Sequence, residues 1–110
     1  MIPDPDWRNL TPEETLALIL QGESEVERLL VEGKITEWAV WECYFRLMYE
    51  ANLWALKESA LSREFWQIRE RVAKKIDWTK FDPFLSKDPT VVLVARDIAA
   101  RKKIPTKFDN

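Results

Sequence analysis

The chain has 110 residues, 46% of them apolar and 33% charged, with a net charge of −2, two glycines, one cysteine and no histidine. That length suits one domain, and so few glycines exclude the many tight turns of an all-β fold and point to helices. The lone Cys43 excludes an intrachain disulfide and suits a reducing, cytoplasmic setting. No apolar run is long enough to span a membrane, and the acidic, proline-bearing start "MIPDPDWRNL" is not a signal peptide.

In chain order, "LTPEE" at 10–14 predicts a helix start. Thr11 caps, Pro12 suits the first helical position, and Glu14 completes a capping box. Leu16, Ile19 and Leu20 share a face, and Gly22 is expected to end this segment. "SEVERLLVEG" repeats the grammar, with Ser24 as cap, Val26, Leu29 and Leu30 as stripe, and Gly33 as stop. Thr36 then caps a long third helix over 37–58. A fourth begins near Ser62, where Phe65, Ile68, Val72 and Ile76 keep helical spacing and Trp66 and Ala73 widen the apolar face. The connector "TKFDPFLSKDP" holds two Asp-Pro pairs, Asp82 to cap a single turn and Asp88 to cap a last helix ending near Lys103. "TVVLV" at 90–94 has strand composition, but Val91, Val94, Ala95 and Ile98 keep the helical period and no second strand is available. The expectation is therefore an all-α domain of about five helices packed around the 37–58 helix, with residues 1–10 and 105–110 as arms.

The third helix, "EWAVWECYFRLMYEANLW", is apolar over most of its circumference. Only Glu42, Arg46, Glu50 and Lys57 form a polar sector. Val40, Cys43, Tyr44, Leu47, Ala51 and Trp54 occupy one broad side, a core face. Trp38, Trp41, Phe45 and Tyr49 wrap around the other, and are the candidate anchors for a second copy or another protein, because large rigid rings carry interface energy at little entropy cost. Trp66 and Trp78 are expected to close the core, and Trp7 to lie over the bundle as a lid.

Little chemistry is available. Without histidine there is no Ser-His-Asp or Cys-His catalysis and no usual zinc, copper or non-haem iron site. Two glycines form no phosphate-cradling loop. Glu42 and Glu50 share a face, but Arg46 between them makes a solvated ion-pair ladder, and Cys43 lies mid-helix as a small core residue. No cofactor and no metal are expected, and the chain is not read as an enzyme.

Charge is segregated. Residues 11–32 carry six glutamates against one arginine; residues 63–80 carry six basic against three acidic groups; residues 94–107 carry five basic groups against Asp97. These elements either lie against each other or leave a basic face for an acidic partner or nucleic acid. At the C-terminus, "DIAARKKIPT" resembles the first helix and turn of bacterial helix-turn-helix repressors. Lys102 and Lys103 stand where such turns carry glycine, and the recognition helix would begin where the sequence stops. What the resemblance leaves is a basic patch of Arg96, Arg101, Lys102, Lys103 and Lys107, able to contact phosphates without reading sequence. The expected function is non-catalytic regulation or adaptation through protein–protein contact, with a nucleic-acid-associated role as the alternative.

Overall fold

The computed structural model describes residues 10–57 and 59–101, of Arg101 only the backbone. It contains four α-helices, α1 (Pro12–Val31), α2 (Glu37–Ala55), α3 (Ser62–Lys74) and α4 (Pro89–Arg101), with a single 3-10 turn at Pro83–Leu85 and no strand among the described residues. Trp7, Lys102, Lys103, Lys107 and the two predicted arms lie outside those residues, apart from Leu10.

The predicted first two helices are one. Thr11 accepts from the Glu14 amide at 3.1 Å while the Glu14 carboxylate accepts from the Thr11 amide at 3.0 Å, the expected capping box. The helix then runs through Gly22 to Val31. Gly22 is a packing residue rather than a stop: a Cβ there would lie 3.2 Å from Leu47 Cδ2, so its bare backbone admits α2. Ser24, expected to cap a second helix, is exposed in mid-helix. The stop is Gly33, at φ +69°. The Lys34 amide donates to the Leu29 carbonyl and the Gly33 amide to the Leu30 carbonyl, the pairing of a Schellman end.

Thr36 caps α2 through the Ala39 amide. The helix ends at Ala55 rather than near residue 58, because the Lys57 carbonyl takes the Ser62 hydroxyl at 2.5 Å and the Leu61 amide turns to Ser59 Oγ. Asp82 caps the short turn through the Phe84 amide, and Asp88 caps α4 through the Thr90 amide at 2.9 Å. The β-branched 90–94 segment is helical, with Val91, Ala95 and Ile98 fully buried along one stripe.

Packing follows these faces. α2 packs against α1, α3 and α4, and the Pro83–Leu85 turn lies against α4. The core draws Ile19 and Val26 from α1, Val40, Tyr44, Phe45, Met48, Ala51 and Trp54 from α2, and Phe65, Ile68 and Val72 from α3. The radius of gyration is 13.5 Å, near the ~13 Å expected of a compact chain of this size. None of these helices is long and apolar enough to cross a membrane.

Candidate functional site

The side of α2 that carries the predicted anchors is covered by the chain's own later segment. Phe81, buried in the connector, is ringed by Trp38, Trp41, Phe45 and Trp78, with centroids 4.9, 6.3, 5.8 and 6.1 Å from its own and the ring pairs tilted or edge-on. Such pairs contribute about 0.5–1.5 kcal/mol each beyond burial. The Trp78 indole N–H donates to the Ala73 carbonyl at 3.0 Å. Farther along, the Ser86 hydroxyl donates to Glu42 and the Tyr49 hydroxyl to Asp97, tying α2 to the connector and to α4.

The four anchors therefore divide. Phe45 is 0% exposed, out of reach of any partner of the folded chain. Tyr49 is half-buried and bound to Asp97. Trp38 and Trp41 pack on the core with part of each ring at the surface. On the connector and on α4, Leu85 and Leu93 are 73% and 62% exposed. Of the basic patch, Arg96 is exposed on α4; the Arg101 side chain, Lys102, Lys103 and Lys107 lie outside the described residues. Cys43 is half-buried, and burial pushes its thiol above the ordinary range, so it stays protonated and unreactive at neutral pH.

The acidic and basic segments meet. Glu23, nearly buried on α1, accepts from Arg71 at 2.6 and 3.0 Å and from Lys75 at 2.6 Å, and Lys75 also reaches Glu27. The Arg71 hydrogen bonds hold the Glu23 carboxyl below its usual range against the opposing effect of burial.

No known protein family, curated protein or solved structure matches the chain. The site must therefore be read from its own atoms, and these include a group that sequence reasoning missed. Arg69 on α3 is 1% exposed, whereas its neighbour Trp66, expected to close the core, is 43% exposed. The indole lies over the guanidinium, 3.8 Å from ring centroid to Cζ. Nη2 donates to Glu70 at 2.5 Å, but Nε and Nη1 are buried without a partner. Both amide atoms of the fully buried Asn52 and the Thr15 hydroxyl are likewise unpaired. The signal was positional: Arg69 falls four residues after Phe65 and three before Val72, on the predicted apolar stripe itself.

Proposed function

We propose that the protein is a non-catalytic regulatory or adaptor protein that works by contact with another protein, a second copy of itself or a different chain. The observation that carries this reading is the apolar surface where the connector meets α4. Leu85 and Leu93 are exposed on adjoining elements. Isolated surface leucines are ordinary, but here two strongly exposed ones occur on a turn and a helix that pack together, with the partly exposed Phe84 in the same turn, and Trp38 and Trp41 keep part of their rings at the surface, the residue types that anchor interfaces. With Phe45 buried and Tyr49 bound to Asp97, the contact would rest on Trp38, Trp41, Leu85 and Leu93. The nucleic-acid alternative draws less support, because Arg71 and Lys75 of the basic 63–80 segment are neutralised by Glu23 and Glu27.

The test is in-cell photo-cross-linking from residue 85 or 93, with the exposed Ala17 of α1 as the control position. Discrete adducts from 85 and 93 but not from 17 are expected, and their mass distinguishes a second copy from a different protein. Adducts that are absent, or equal from all three positions, would overturn the reading.

A further inference from the structure

α3 turns one face to the core and leaves the opposite face exposed. Phe65, Ile68 and Val72 are buried. At 3.6 residues per turn, Arg63, Trp66, Gln67 and Glu70 fall within about a 100° arc centred about 180° from those three. Arg63 and Gln67 are exposed, Trp66 is 43% exposed and the Glu70 side chain 46%. The Trp66 indole lies over the Arg69 guanidinium, so the ring is held in place before a partner arrives and its burial costs little entropy. Tryptophan is also among the residues enriched at the energetic centres of interfaces. The charges around it are ordered. Arg63 and Glu70 stand seven residues apart, about 10 Å along the axis, too far to pair within one helix. Glu70 holds Arg69 Nη2 through Oε1 at 2.5 Å, and Arg69 itself stays behind the indole, 1% exposed. An exposed cation before Trp66 and an exposed anion after it make a pattern complementary to its own reversal.

We propose that this face of α3 is a self-association surface, and that its occupant is α3 of a second copy, packed antiparallel across a two-fold axis. With the axis between Trp66 and Gln67, Arg63 meets the partner's Glu70 and Glu70 meets the partner's Arg63. The two indoles lie beside the axis. Charge selects this arrangement over its rivals. Parallel helices would set Arg63 against the partner's Arg63 and Glu70 against the partner's Glu70. An antiparallel register slipped by four residues would set Arg63 against the partner's Lys74. α3 has 13 residues, about 20 Å of helix, so the contact is at the small end of interface sizes and the association is weak. The surface is separate from Leu85 and Leu93, which lie on the connector and α4, so either contact can fail without the other.

The experiment is sedimentation equilibrium of the full chain from micromolar to millimolar concentration. A reversible monomer–dimer equilibrium is expected for the wild type. Arg63→Glu and Glu70→Lys, each alone, should weaken it about tenfold, because symmetry counts each exposed pair twice. The decisive sample is the equimolar mixture of the two variants, in which one copy carries two anions at these positions and the other two cations. A heterodimer at least as tight as the wild-type dimer is expected, since residue 63 of each copy then faces an opposite charge at residue 70 of the other. Glu70→Lys also removes the Glu70 contact with Arg69, so NMR of the wild type serves in case that variant does not fold. As concentration rises, the Trp66 indole and the amides of 63–74 should shift while those of 85–93 do not. A monomer at every concentration, a mixture no tighter than either variant alone, or shifts confined to 85–93 would overturn the proposal. The last outcome would make the Leu85–Leu93 surface the dimer contact.

Discussion

Phe81 and Leu85 stand four residues apart in the same connector and have opposite fates. Phe81 fills the ring cluster beneath Trp38 and Trp41, whereas the Leu85 side chain lies in water. Phe81→Ala should therefore cost about 3–5 kcal/mol, the penalty for emptying an aromatic core position, and Leu85→Ala less than about 0.5 kcal/mol. Urea unfolding of the two variants checks this; similar losses would mean that the cluster does not depend on its central ring. Neither role was legible in the sequence, because the connector has no period from which to read an inward side. Trp66, expected inside, and Arg69, given no place, were not legible for a different reason. Residue type was allowed to outweigh position, although the spacing from Phe65 to Val72 already placed the arginine inside. Cation–π contact explains how the exchange is tolerated: the indole covers the charge instead of filling the core.

At the scale of elements, caps and periods were the readable part. Thr11, Thr36, Asp82 and Asp88 begin their elements as expected, since each side chain satisfies an amide that the first turn leaves open. The two glycines show where such grammar fails. Gly22 followed by Ser24 and Glu27 reads as a stop and a new start, but one interior glycine costs a helix only about 1 kcal/mol. Continuing the helix buries Ile19, Glu23 and Val26 on one face. Gly33 is different, because its positive φ disfavours any side chain. Gly33→Ala should thus destabilise by about 1–2 kcal/mol. Gly22→Ala should be neutral or stabilising by up to about 1 kcal/mol, with the flexible end of Leu47 giving way by a few tenths of an ångström. Thermal melts of both variants decide the matter. A large loss in Gly22→Ala would show that the close approach of α1 and α2 tolerates no methyl group.

For the whole molecule, the segregation of charge along the sequence is resolved by folding it against itself. The acidic α1 lies beside the basic α3, and Glu23 is the point where they join. The charges are visible in the sequence but their pairing is not, since the partners are 48 and 52 residues apart. The pairing has a pH signature whose sign follows from linkage. The Glu23 carboxyl, ordinarily near 4.5, is held lower in the folded chain by its hydrogen bonds to Arg71, then to Lys75. The native state therefore holds fewer protons than the unfolded state as the pH falls past that value. The contribution of Glu23 is complete above about pH 4.5 and is lost as the pH drops through the lower folded value. Glu23→Gln should cost about 1–2 kcal/mol at pH 7, below the range for fully buried pairs because Arg71 is half exposed. The difference between wild type and variant should shrink as the pH approaches 3. Urea titrations of both proteins across pH 3–7 read this directly, and a gap that stays constant with pH would mean that Glu23 acts through its packing rather than its charge.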